Sequence, residues 1–258
     1  MRKSKTLKRI REGGLARCAN LGSYIPPYIA HAARAGYDCI WLDLEHRAID
    51  FKELQVLMAH FRLYDIDCLL RAPTLEKTGL YRYLEEGATG LMIPHVSTAE
   101  KARQLVQAVK FPPIGDRGLD NAGFDSDYRI TSNNIEYIEW ANRETFLVVQ
   151  IETPEAVENV EEIAAVPGVD MLFVGPGDLG LRYQLAGDNE GAMLEAAFEQ
   201  VAAAAKRHGV SWACPSGTID DMRKRRAQGA QLLANCGDFM ILRDGLFDSS
   251  EMFDEIER

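Results

Sequence analysis

The sequence predicts an α/β fold, a (β/α)8 barrel, and three observations lead there. Eight short β-rich apolar runs alternate with amphipathic stretches along the chain. The length of 258 residues suits such a barrel, which commonly takes about 250. The first run is followed by NLGSYIPP and not by a G-x-G-x-x-G fingerprint, so an open doubly wound sheet is the weaker alternative. The expectation is one barrel domain over 1–258 with a short N-terminal helix.

The basic cluster Arg2, Lys3, Lys5, Lys8, Arg9, Arg11 opens the chain and reads as a solvated first helix or, alternatively, as a polyanion site. Strand one is LARCANL from Leu15. Pro26-Pro27 opens the helix after it, because the fixed φ of proline suits a first helical turn, and Gly36 stops it. Strands two and three are DCIWLDL from Asp38 and DCLLRA from Asp67. Gly87 ends the helix before strand four, GLMIPHV from Gly90. Ser97-Thr98-Ala99-Glu100 then reads as a capping box, with the serine oxygen and the glutamate satisfying helix-end N–H groups. Strand five is FLVVQIE from Phe146, followed by Thr153 as N-cap with Pro154 at the first helical position. Gly168 precedes strand six, MLFVG from Met171. Strand seven is SWACPS from Ser211, and Gly229 precedes strand eight, LLANCG from Leu232.

Composition narrows the function. A hydrophobic content of 47% and a charged content of 26% are ordinary for a globular chain. The formal net charge of −10 argues against nucleic acid or anionic membrane as partners, since both select a basic face. No apolar run approaches the roughly 18 residues of a membrane span, and no hydrophobic segment follows the N-terminal charges, so the chain reads as cytoplasmic. Five cysteines without a C-x-x-C pair suit reduced thiols. Cys18, Cys39 and Cys68 read as buried in strands. Cys214 and Cys236, nearer strand ends, are either buried or within reach of a site.

In a (β/α)8 barrel the C-terminal strand ends converge on one mouth, so the polar residues there are the candidates for chemistry. Strand two ends in Asp43-Leu44-Glu45-His46, three in Arg71, four in Pro94-His95, five in Gln150-Ile151-Glu152, and six in Gly175-Pro176-Gly177-Asp178. Glu152 and Asp178 stand on adjacent strands, where two close carboxylates repel unless a cation lies between them. Oxygen-only ligation with open positions suits Mg2+, Mn2+ or a similar hard ion. The structural alternative is that each carboxylate caps a helix. Gln150 shares the face of Glu152 and would orient a ligand. Arg71 would meet an anion or a developing negative charge, or else form an ion pair with Asp43 or Glu152. Asp43 could fix the tautomer of His46 for proton transfer; a capping or core histidine is the alternative. His95 is recommended by its strand-end position alone. The lysines fall on helices or at helix ends, which disfavours Schiff-base chemistry and leaves carbonyl polarisation to the cation and Arg71.

With these segments in view, AGYDCIWLDLEH, LLRAP, YLEEGATGLMIPHVSTAEKARQLVQAVKFPPIGDRG, LVVQIET and VPGVDMLFVGPGDLG, the chain resembles the metal-dependent (class II) pyruvate aldolases of the HpcH/HpaI family. That family includes 4-hydroxy-2-oxoheptanedioate and 2-dehydro-3-deoxyglucarate aldolases, with a TIM barrel of the phosphoenolpyruvate/pyruvate superfamily type. The resemblance implies Glu152 and Asp178 as ligands of a divalent metal ion (Mg2+, Mn2+ or Co2+), Arg71 on the carbonyl or enolate oxygen, and His46 as acid/base supported by Asp43. It implies the N–H groups of Gly177 and Asp178 on the pyruvate carboxylate, and reversible cleavage of a 4-hydroxy-2-oxo acid to pyruvate and an aldehyde. It also implies a small-molecule 2-oxo acid substrate and a homo-oligomer, commonly a hexamer with the last helix on a neighbour.

The sequence departs from the family pattern in three places. Glu85 stands where many members have an aspartate, and could assist a histidine from its own or a neighbouring subunit. Asn20 stands where a strand-one tryptophan is frequent, and LDNAGFDSDYR follows Asp116-Arg117-Gly118. In relatives these positions line the aldehyde side. The rival enzyme reading is an acyl-CoA lyase of the malyl- or citryl-CoA type, which calls for basic residues such as Arg223-Lys224-Arg225-Arg226; a non-catalytic barrel is the reading outside enzymology.

Overall fold

Eight strands close into a parallel barrel in chain order: β1 (Ala16–Leu21), β2 (Cys39–Asp43), β3 (Asp67–Arg71), β4 (Gly90–Ile93), β5 (Phe146–Ile151), β6 (Met171–Val174), β7 (Ser211–Pro215) and β8 (Leu232–Gly237), with β8 pairing back on β1. The structure is a computed structural model and describes residues 1–129, 133–188 and 191–256. Helices cross over between the strands, as parallel pairing requires. All eight strands coincide with the eight apolar runs. β3, β4, β5 and β6 are buried at every position, because a parallel strand between a filled barrel and a helical layer has no wet face.

The alternation along each strand decides what reaches the mouth. One phase points inward and packs Cys39, Leu69, Met92, Val148 and Phe173 in the barrel interior, with Trp41 against them. The other phase, including Ile40, Leu42, Leu70 and Val149, packs outward on the helices. Continuing the inward phase by steps of two gives Asp43, Arg71 and Gln150, then Glu45 and Glu152 just past the strand ends. Asp43 and Arg71 are direct register partners across β2 and β3.

Helix starts follow local chemistry. Pro26 opens the helix Pro26–Arg34, and the Thr153 hydroxyl accepts the Ala156 N–H at 3.0 Å. The capping box expected at Ser97 does not form, and the N-cap lies one residue later. The N-cap is Thr98, whose extended backbone lets its hydroxyl accept from Lys101 N–H at 3.2 Å, while Ser97 Oγ pairs with Thr153 Oγ1 at 2.9 Å. Gly36, Gly87, Gly168 and Gly229 all adopt positive φ at the expected helix stops.

The N-terminal basic cluster is largely neutralised by carboxylates at the foot of the barrel. Arg2 bridges Asp65 and Asp67, Lys5 reaches Asp65, Lys8 Glu12, Arg9 Asp38 and Arg11 Glu144. Asp67, fully buried, also accepts from Ser4 Oγ (2.6 Å) and Thr6 N–H (2.8 Å), which ties the N-terminal segment to the start of β3. All five cysteines are free; four are buried and Cys236 is half-buried. At the other end of the chain the helix Asp238–Ile256 buries only Asp238 and exposes Phe239, Leu246, Phe247, Met252, Phe253 and Ile256. Among the described residues no helix is long and apolar enough to cross a membrane.

Candidate active site

Arg71 is the most constrained side chain at the mouth. Its Nε and Nη2 donate to the two oxygens of Asp43 at 3.0 and 2.7 Å, its Nη1 lies 3.0 Å from Glu45 Oε2, and its guanidinium stacks on Trp41 at 4.6 Å. Burial alone would raise the Asp43 carboxyl, but the hydrogen bonds and charge of Arg71, with the His46 backbone N–H, outweigh it and hold the carboxyl below its usual value. A planar fork held on two carboxylates and a ring points in one direction, as oxyanion recognition requires.

Asp43 does not hold the His46 imidazole, contrary to expectation. It accepts the backbone N–H groups of Glu45 and His46 at 3.1 and 3.3 Å, because the chain turns sharply after β2 and folds its N–H groups back on the aspartate. The imidazole faces Glu45 instead, with Nε2 3.5 Å from Oε2, and remains 57% exposed. Glu45 therefore joins Arg71 and His46, and its Oε1 lies 3.7 Å from His95 Nε2. Sequence reasoning assigned it no role. Its signal was present, two residues beyond Asp43 in the same inward phase.

Glu152 is 3% exposed. Its Oε1 accepts the His95 N–H at 2.6 Å and lies 3.1 Å from His95 Nδ1, and its Oε2 accepts from Gln150 Nε2 at 3.0 Å. His95 is out of the inward phase, and its positive φ of 54° turns it back toward Glu152. Burial raises the Glu152 carboxyl; the His95 N–H and charge oppose this, and the charges of Glu45 and Asp178 add to it. Asp178 lies in the first turn of the helix Pro176–Leu185 and holds Arg182 Nη1 at 3.0 Å. No side chain caps that helix, whose N-cap is Gly175, so the N–H groups of its first turn are not taken by a cap. A Cβ at Gly175 would fall 2.7 Å from Glu152 Oε2, whereas a Cβ at Gly177 would meet nothing within 4 Å. The glycine turn thus packs under Glu152 and leaves open space above Gly177.

The donor set fits a hard divalent cation. The Asp178 charge acts on Glu152, and Gln150 Oε1 beside it is a buried acceptor without a hydrogen-bond partner. Among the described residues no group of three or more His, Cys, Asp or Glu side chains forms a ready metal cage. Two carboxylates with further positions left to water or ligand are the arrangement that remains.

Three other expectations change. Glu85 ends the helix Lys77–Glu85, which leads into the foot of β4, so within one chain it lies at the opposite end of the barrel from His46. Burial, opposed by Arg117 and reinforced by Asp120 and Asp125, raises its carboxyl to about 7. The LDNAGFDSDYR segment stays at that end: Asp125 N–H donates to Glu85 O at 3.1 Å, and Tyr137 Oη donates to Asp125 at 2.7 Å. The lysines do stand on helices, but Lys101 reaches back from one to donate Nζ to His95 O at 2.7 Å, and burial lowers its pKa.

The profile of the HpcH/HpaI aldolase/citrate lyase family matches residues 21–244. The chain belongs to this family. Among its HpcH/HpaI relatives, a 2-dehydro-3,6-dideoxy-6-sulfogluconate aldolase from Pseudomonas putida is 39% identical over 165 residues, 62% of this chain and 64% of that protein. A hydroxypyruvate/pyruvate aldolase from Paraburkholderia phytofirmans is 30% identical over 217 residues, 81% of each chain. The crystal structure of an HpcH/HpaI aldolase from Desulfitobacterium hafniense matches with a TM-score of 0.89 at 31% identity, covering 96% of both chains. These relatives are named as aldolases, which are carbon–carbon lyases, and the chain stands among enzymes of that class.

Proposed function

We propose that this HpcH/HpaI chain is a divalent-cation-dependent aldolase that reversibly cleaves a 4-hydroxy-2-oxo acid into pyruvate and an aldehyde. The observation that carries the reading is that Glu152 and Asp178, whose charges act on one another, stand on successive strand ends at an uncapped glycine turn, at the same mouth as an arginine held on Asp43 and Glu45. Glu152 and Asp178, with Gln150 beside them, would hold Mg2+, Mn2+ or Co2+, which supplies Lewis-acid polarisation of the 2-oxo group. The Gly177 and Asp178 N–H groups take the substrate carboxylate at the helix N-terminus. His46 removes the 4-hydroxyl proton, the C3–C4 bond breaks to release the aldehyde, and its electron pair enters the pyruvate enolate. Arg71 stabilises that enolate oxygen, and protonation at C3 yields pyruvate.

A CoA-ester substrate is less well supported. In the run 223–226, Arg223 pairs with Asp220, Lys224 with Glu195, and Arg225 with Asp221 and Glu195, while Arg226 donates to backbone carbonyls. The free thiols suit a reducing cytoplasm. The bare apolar face of Asp238–Ile256 suits a homo-oligomer, a hexamer by the family resemblance. The test is a screen of 4-hydroxy-2-oxo acids coupled to pyruvate detection. Release that stops on EDTA treatment and returns with Mn2+ is expected; release indifferent to EDTA contradicts the proposal.

A further inference from the structure

Arg47 stands beside His46 without a task in the mechanism above. Its Nη1 donates to His46 O at 3.1 Å, and its guanidinium lies over the Phe239 ring at 4.5 Å. Its side chain packs on Gly22, where a Cβ would come 2.9 Å from Nε; any larger residue there would push it away. Gly22 follows β1 and Phe239 lies in the first turn of the helix after β8, so two loops and a helix start at the mouth fix one guanidinium.

Its charge is uncompensated. Arg71 has Asp43 and Glu45, Lys77 has Asp116, and Arg182 has Asp178. Among the described residues no carboxylate lies within ion-pair distance of Arg47. Asp238, its neighbour through Phe239, accepts from Gly22 N–H at 3.0 Å. An arginine clamped by a ring and a carbonyl, with donors still free, is prepared for an oxyanion.

Strand order around the barrel gives that oxyanion its place on the substrate. The carboxylate pair lies on β5 and β6, Arg71 on β3, His46 after β2, and Arg47 on the side of β1 and β8. A substrate with its 2-oxo acid end at Glu152 and Asp178 and its 4-hydroxyl at His46 lies across the mouth. Its far end then points toward β1 and β8. We propose that Arg47 binds an anionic terminus, a carboxylate or a sulfonate, on the aldehyde half, and so selects 4-hydroxy-2-oxo acids that carry a second acidic group. The proposal rests on the aldolase reading.

The experiment measures kcat/KM for addition of pyruvate to three aldehydes with Mn2+ present: succinic semialdehyde (carboxylate-tipped), sulfoacetaldehyde (sulfonate-tipped) and propionaldehyde (neutral). The readout is the ratio of each anionic acceptor to the neutral one, which a general loss of activity would not move. Wild-type protein is expected to favour at least one anionic acceptor, and the favoured arm identifies the terminus. Arg47→Ala should lower that ratio by about 10-fold or more, chiefly through KM, with Arg47→Lys between. No anionic preference in the wild type, or an unchanged ratio in Arg47→Ala, overturns the assignment. Deuterium exchange into the pyruvate methyl group separates the two levels. Exchange with no anionic preference removes Arg47 alone, whereas wild-type protein that catalyses no exchange removes the aldolase reading and this proposal with it.

Discussion

Arg71 shows how much of this site is geometry and how little is charge. Its two-pronged contact to Asp43 and its stacking on Trp41 both need a planar guanidinium. Arg71→Lys keeps the charge and loses the fork, so the protein should fold normally while turnover falls about 10²-fold, the scale of losing one oxyanion donor; steady-state kinetics beside circular dichroism checks this. Glu85 offers a test in pH. Its folded value, about 7, lies above its ordinary 4.5. The folded chain therefore holds that proton more tightly than the unfolded one, and the resulting stability is fully present below about pH 4.5 and lost as pH rises through 7. Glu85→Gln should match wild type near pH 4 and exceed it above pH 7 by about 1 kcal/mol, the shift being discounted because the group is half-exposed. Urea titrations at the two pH values measure the difference.

At the scale of the element, the turn from β6 into the helix Pro176–Leu185 carries the central contact, and its two glycines are not equivalent. Gly175→Ala drives a Cβ onto Glu152 and should weaken Mn2+ binding, read by calorimetry. Gly177→Ala meets no protein atom, so it should leave Mn2+ binding alone and raise the concentration of pyruvate needed for half-saturation, because the methyl group occupies space above the helix N-terminus. The strands and this turn were legible in the sequence, since apolar runs bounded by glycine and proline carry their own signal. Strand-end position singled out Asp43, Arg71 and Glu152, and the period-two rule added Gln150 on the face of Glu152. The same rule would have placed Glu45 on the face of Asp43. What local pattern could not reveal was tertiary: the positive φ that turns His95 toward Glu152, the return of Lys101 to His95 O, and the backbone turn that gives Asp43 to Arg71 and leaves His46 to Glu45. Glu85 precedes β4, so chain order alone already places it at the foot of its own barrel, and any assistance to a histidine would come from a neighbouring subunit.

At the scale of the whole molecule, the barrel buries its apolar surface and the helix Asp238–Ile256 does not. If a second copy covers this row, as proposed above, Phe247→Asp and Phe253→Asp together should shift the protein to a smaller species in light scattering while the barrel stays folded; an unchanged mass would contradict that docking. The same barrel brings residues from five successive strand ends, β2 to β6, to one mouth, and the central claim is that Glu152 and Asp178 hold a cation there for enolate formation. Deuterium incorporation into the pyruvate methyl group, followed by mass spectrometry without any aldehyde, tests it most directly. EDTA-stripped wild type should exchange only when Mn2+ is restored, and Glu152→Ala and Asp178→Ala should exchange in neither condition. Exchange that persists in EDTA, or at the wild-type rate in either variant, would contradict the account.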